Sequence, residues 1–215
     1  MVSKRIEIDN RISYWRATKN PLSADIGVIE GDNYAWIFDV GCSEEAVKCI
    51  SSITTPKNLI LSHFHPDHTS NLSKLDFEML YQGAHTLRYT HMGEVVNGHL
   101  WLTDGVKLHL FELPCSHAKG SIGLEIDDKY AFLGDAAYCM MKAGQQVYNA
   151  NLLSEEIKVL RNLQAEYFLL SHDKRFVRKK EVVLKQLEGI YAKRNAQSAY
   201  IFVGNSRTHK KDTLT

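Results

Sequence analysis

LILSHFHPDHTSNL, residues 59–72, ends an apolar run with His63, His65, Asp67 and His68 inside six positions. An apolar run closed by a proline reads as a buried strand that stops where Pro66 interrupts the pairing. On extended backbone, residues two apart project to the same side, so His63 and His65 can share one point in space. Asp67 and His68 follow on a turn that opens a helix through DHTSNLSKL, and they address a second point. Neutral imidazole and carboxylate suit zinc, with iron or manganese next, and need no cysteine among them. The stretch therefore reads as the larger part of a site for two metal ions.

Four further apolar runs end in a residue of the same kind. These are YAWIFD at Asp39, FELPCSH at His117, YAFLGD at Asp135 and YFLLSH at His172. Sheet proteins with helices on their faces commonly bind ligands beyond the carboxyl ends of strands, where distant loops converge. ADIGVIEG, VKLHLFELP and GLEID complete the strand-like runs. Helical patterns lie between and after them. SEEAVKCISSI starts with Ser43 as N-cap and acids in its first turn, residues 152–163 carry Ser154 ahead of EEIKVLRNL, and residues 177–194 show a basic and an apolar face. Alternating strands and helices predict a layered α/β domain. NLILSHF also resembles EYFLLSHD, and IFDVG resembles FLGDA, as in an internal duplication with the site at the seam.

Composition bounds the rest. With 215 residues, 44% hydrophobic and 24% charged, the chain can bury a sizeable core, and one domain spanning residues 1–215 is expected. Lysine and arginine number 26 against 25 acids, so no basic face dominates, and neither nucleic acid nor membrane is expected as a partner. The partner expected is a small-molecule substrate; the oligomeric state is open. MVSKRIEIDN lacks an apolar signal region and no run reaches membrane-span length, which makes the cytoplasm the expected location. Cys42, Cys49, Cys115 and Cys139 are scattered, without CxxC spacing, and read as reduced thiols. His85, His91, His99, His109 and His209 read as solvated or structural, with His85 and His91 in a segment bordering a cleft. Tyr14, Trp15, Tyr89 and Trp101 lie in segments that wall a pocket or fill the core. KRFVRKK and the tail RTHKK read as a solvated face and a loose terminus.

Taken in order, Asp39 in FDVG, HFHPDH at 63–68, His117 in CSHAKGS, Asp135 in LGDAAY and His172 in LSHD resemble the motifs of the metallo-β-lactamase superfamily of metal-dependent hydrolases. The resemblance implies a four-layer αββα sandwich with a two-metal site at one edge. By that resemblance His63, His65 and His117 hold one ion, and Asp67, His68 and His172 the other. Asp135 bridges both, and Asp39 stands behind a ligand histidine. Two zinc ions are expected, with iron or manganese as the other options. The chemistry implied is hydrolysis of a small ester, thioester or lactone by hydroxide generated between the ions and steadied by Asp67.

Particular branches fit unequally. Tyr138, three residues past Asp135 in GDAAY, resembles the tyrosine that reaches the substrate in the lactonase branch, where it would bind the carbonyl or protonate the alkoxide; the alternative is rim packing. Secreted β-lactam-hydrolysing relatives often use a cysteine ligand, which is missing here. The helical extension of glyoxalase II-like thioesterases and the added regions of the nucleases are not found, and His65 stands where flavodiiron-type relatives place glutamate. Two readings from other classes remain: a mononuclear iron dioxygenase acting on a persulfide, and a metal-binding protein without turnover.

Overall fold

Along YAWIF, alternate side chains serve two different cores, and this alternation explains the architecture. In the computed structural model, which describes residues 4–204, the first half runs through twelve regular segments and one short turn. They are β1 (Ile6–Asp9), β2 (Ile12–Trp15), the small hairpin β3 (Thr18–Lys19) and β4 (Leu22–Ser23), β5 (Ile26–Glu30), β6 (Ala35–Phe38), α1 (Glu44–Ser51), β7 (Lys57–Leu61), α2 (Pro66–Thr69), a 3-10 turn at Leu72–Lys74, β8 (Met79–Gln82), α3 (Leu87–Thr90) and β9 (Glu94–Val95). β1-β2-β5-β6-β7-β8-β9 form one sheet, antiparallel up to β6 and parallel from β6 onward.

The second half adds β10 (His99–Thr103), β11 (Lys107–Leu113), β12 (Ser121–Ile126), β13 (Tyr130–Gly134), β14 (Met140–Lys142), β15 (Gln145–Asn149), α4 (Ala150–Asn162), β16 (Tyr167–Leu170), β17 (Val177–Lys179), α5 (Lys180–Tyr191) and β18 (Tyr200–Phe202). β10-β11-β12-β13-β16-β17 make the second sheet, whose one parallel pair is β13 with β16. β14-β15-β18 form a small separate sheet.

Trp36 and Phe38 face the second sheet and meet Leu108, Leu110, Leu124, Phe132 and Phe176, all buried. The Phe38 and Phe132 rings stack with centroids 5.2 Å apart. Ala35 and Ile37, one residue out of phase, pack outward on Ala46, Cys49 and Ile50 of α1. The outer face of the second sheet, with Phe111, Leu133 and Phe168, is covered by Leu153, Ile157 and Leu160 of α4 and by Val183 and Leu187 of α5. The layers are thus helix, sheet, sheet, helix, the expected αββα sandwich. Each large apolar side chain sealed in these layers contributes roughly 1.5 to 3 kcal/mol.

Local chemistry sets the helix starts. The Ser43 hydroxyl accepts the Ala46 N–H at 3.1 Å, which caps α1 as the sequence indicates. α4 starts earlier than expected, because Asn149 accepts the Asn151 and Leu152 N–H groups and leaves Ser154 inside the helix. Residues 177–179 pair with β16 before α5 begins, so the expected helix over 177–194 is shorter. DHTSNLSKL yields one helical turn and a 3-10 turn in place of a continuous helix. Its Asn71 donates to the Val40 and Ser43 carbonyls instead, at 3.2 and 2.9 Å. Among the described residues, the four cysteines are thiols and form no disulfide. Among the described residues, no helix is long and apolar enough to cross a membrane.

One carboxyl sits wrongly for this packing. Glu156 of α4 is fully buried, and neither carboxyl oxygen has a hydrogen-bond partner. Burial raises its pKa well above the usual carboxyl range. The unfolded chain therefore releases this proton first as pH rises. The stability is intact in acid and is lost as pH climbs towards the folded-state pKa. Glu156→Gln is expected to raise the melting temperature little at about pH 5 and markedly at about pH 8, as read by thermal unfolding at both.

Candidate metal centre

Two segments deliver the first group of nitrogens. His63 and His65 follow β7, and His117 lies in the loop between β11 and β12. His63 Nε2 is 2.9 Å from His65 Nδ1, which is 3.1 Å from His117 Nε2. The three rings stand at 78 to 86° to one another, so their nitrogens converge on a common point. The far nitrogens fix the tautomers of two of them. His63 Nδ1 donates to the Ser62 hydroxyl at 2.9 Å and His117 Nδ1 to the Cys139 carbonyl at 3.4 Å, which leaves both Nε2 lone pairs facing inward. Burial, reinforced by neighbouring histidines, pushes the pKa of His63 well down, and burial together with His117 lowers that of His65. Neutral lone pairs crowded this closely fit a cation better than they fit one another.

The second group comprises Asp67, His68, Asp135 and His172, each offering one atom within 4.8 Å of the others. His172 Nε2 lies 3.2 Å from Asp67 Oδ2, and His68 Nε2 lies 3.5 Å from Asp135 Oδ1. Asp135 Oδ2 is also 3.3 Å from His117 Nε2, so this carboxylate touches both groups. Burial opposes charge on His68, but Asp39 and Asp135 more than offset it and hold the pKa well above the ordinary imidazole value. His172 is also raised: burial opposes it, but Asp67 and Asp135 prevail. Asp67 is the counterpart, lowered despite burial by its hydrogen bond with His172. The carboxylates favour positive charge at this point.

Asp39 anchors this second group from behind. It sits just past β6 at φ +63°, accepting the Ser62 N–H and the Ser62 hydroxyl at 2.8 Å each, and it meets His68 Nδ1 at 2.7 Å. His68 is thereby turned with Nε2 towards Asp135. His68 Nε2 and Asp135 Oδ1 are both buried and have no hydrogen-bond partner. Two orphaned buried atoms aimed at one another's surroundings fit a divalent ion between carboxylate and imidazole. Gly134, at φ +55°, makes room: a Cβ there would lie 2.6 Å from the Ser62 hydroxyl.

The seven ligand-type residues read from the sequence are thus brought together, with Asp39 behind them. Tyr138 comes near, its ring centroid 6.4 Å from that of His117, but its hydroxyl donates to the Ser171 carbonyl at 2.7 Å, and burial raises its pKa. Its proton faces the backbone. Tyr89 stacks on Phe64 at 4.6 Å, with His85 edge-on to Phe64 at 5.0 Å, and these rings border the site beside His65. Tyr14 and Trp15 belong to the core, while Trp101 stacks on His109 over the second sheet. His99, His109 and Glu125 form a hydrogen-bonded row away from the site. His91 caps α3 and is exposed. From KRFVRKK, Arg178 pairs with Asp173; RTHKK, including His209, lies outside the described residues. Ser62, Gly134 and Asp25 were not singled out in the sequence. The one available signal was LSH, which precedes both His63 and His172 in the same form.

The metallo-beta-lactamase superfamily model matches residues 20–78, which include Asp39 and the HFHPDH motif. Among curated proteins none matches the chain in sequence. Solved structures resemble it in fold. A stereoselective inverting sec-alkylsulfatase, Pisa1 from Pseudomonas sp., aligns at TM-score 0.67 and 12% identity over 88% of this chain and 42% of its own. A flavoprotein from Thermotoga maritima aligns at 0.67 and 14%, over 88% and 60%. The DIM-1 metallo-beta-lactamase aligns at 0.69 and 15%, over 88% and 96%. The chain therefore spans less than two thirds of the first two and nearly all of the third.

Asp39→Ala removes the partner that turns His68. Metal held by the second group is expected to weaken by about 10- to 100-fold, and metal held by the first group by less, because Asp39 reaches His63 only through Ser62, as measured by competition with a chromophoric chelator.

Proposed function

We propose that this chain, a member of the metallo-β-lactamase superfamily, hydrolyses a small ester, thioester or lactone at a two-ion centre. The carrying observation is the pairing of two ligand groups through Asp135, with His68 Nε2 and Asp135 Oδ1 left partnerless unless an ion lies between them. His63, His65 and His117 would hold one ion, and Asp67, His68 and His172 the other, with Asp135 shared. The nitrogen-rich first group favours zinc over iron or manganese. Two bound divalent ions supply a water acidified towards neutral pH and a Lewis acid for the scissile carbonyl.

The residues divide the remaining work. His63 and His68 are buried and form the floor, whereas His117 and His172 are 19% and 18% exposed at the rim. Of the two carboxylates, Asp67 is the more open, at 22% against 7% for Asp135. Asp67 is therefore placed to hold and orient a proton of the attacking water, while Asp135 keeps the two groups in register. For Tyr138 to aid a departing alkoxide, its hydroxyl must exchange the Ser171 carbonyl for the substrate. The Phe64 and Tyr89 rings offer an apolar wall beside His65.

His63→Ala and Asp135→Ala are expected to lose bound metal and turnover together, by metal analysis and by kinetics on a panel of lactones, thioesters, aryl esters and phosphodiesters. Full turnover in metal-depleted variants would refute the assignment. Two zinc ions per chain with hydrolysis supports it. One iron with thiol-dependent oxygen uptake would indicate a persulfide dioxygenase, and full metal loading with an inert panel would indicate a binding protein.

A further inference from the structure

The turn that carries His172 is gripped by side chains from the other sheet. Asp25, just ahead of β5, has a fully buried side chain. Its Oδ2 accepts the His172 N–H at 2.8 Å, its Oδ1 accepts the Ala17 N–H at 3.0 Å, and its own N–H donates to the Ser171 hydroxyl at 3.1 Å. Arg16, 3.5 Å from Asp25 Oδ1, reaches across to donate to the Asp173 carbonyl. His172 has φ +62°, a left-handed conformation uncommon outside glycine.

We propose that Asp25 is a positioning residue for the second ion: it fixes the His172 backbone so that Nε2 faces Asp67 and Asp135. This rests on the two-ion reading above. His172 belongs to the second sheet, whereas Asp67 and His68 follow the first. The second group is complete only while the two sheets keep their register at this turn, and Asp25, with Arg16 beside it, makes hydrogen bonds across it. His63, His65 and His117 make no contact with Asp25 among its hydrogen bonds, so the first group is independent of it.

Asp25→Asn tests this with little change of shape. Both carboxylate oxygens face N–H donors, and an amide can present its oxygen to only one of them, so one donor is left facing an NH2 group. Titration calorimetry of the metal-free full chain with zinc should show two ions for the wild type. In the variant the first ion should be unchanged and the second weakened by about 10- to 100-fold. With cobalt(II), the absorption increment of the second equivalent should be lost in parallel. Fewer than two ions in the wild type would sink the two-ion reading and this inference with it. Two ions in the wild type and unchanged second-ion affinity in the variant would overturn the role of Asp25 alone, as would equal weakening of both ions in a variant whose metal-free melting temperature is preserved. If Asp25→Asn does not fold, Arg16→Lys, which breaks the fork from Asp25 to Asp173, should weaken the second ion in the same direction; unchanged affinity there would overturn the proposal.

Discussion

A buried carboxylate at the end of β6 holds the rest of the site in place. Asp39 is 1% exposed, which is costly for an ionised group unless it is fully hydrogen-bonded. Its two oxygens meet the Ser62 N–H, the Ser62 hydroxyl and His68 Nδ1, all within 2.8 Å. That requirement passes outward. Ser62 must be small and polar, it accepts a hydrogen bond from His63 Nδ1, and it presses against Gly134, where only a hydrogen fits. One carboxylate thereby sets the tautomers of two histidines and the residue preceding Asp135. Neither sheet could slip by one residue without breaking this chain.

The sandwich exists to bring such residues to one edge. Parallel pairing of β6 with β7 and of β13 with β16 points four strand ends the same way, and Asp39, His63, Asp135 and His172 follow those ends. The apolar interleaf between the sheets, built on Phe38 against Phe132, fixes their separation. In the first group the His63 and His65 imidazoles are desolvated with no carboxylate close enough to prevail over burial. Binding energy for ions then becomes folding energy at this edge.

Much of this was legible because ligand chemistry and strand periodicity are local. HFHPDH declares its ligands within six residues, and apolar runs ending in aspartate or histidine declare where strands stop. What escaped was whatever depends on a distant partner. Asp25 looks like an unremarkable acid before a strand, and only the folded chain brings it to a turn 147 residues away. β1 and β2 are short and partly polar, and their pairing with β5 is decided by the sheet they join. α4 starts at Asn149 because its amide accepts two N–H groups, a choice that equally good capping residues nearby obscured. The fold likeness to an alkylsulfatase, a flavoprotein and a β-lactamase at 12 to 15% identity shows the same division. The scaffold is shared, and a scaffold alone does not choose a substrate.

The two resembling halves also show how one backbone device serves two chemistries. In IFDVG the aspartate itself, Asp39, is left-handed, as is Gly41 two residues on, whereas in FLGDA the left-handed residue is Gly134, one position ahead of the aspartate. Asp39, at the kink, turns back beneath the following strand end, where it receives Ser62 and orients a histidine. In the second half the kink falls on glycine, whose carbonyl accepts the Ser171 N–H at 3.1 Å in the place that the Asp39 carboxylate takes for Ser62. Asp135, one residue later, is thereby released from that duty and emerges between the two groups. A single-residue offset in where the chain turns left-handed separates a carboxylate that positions from one that can bridge.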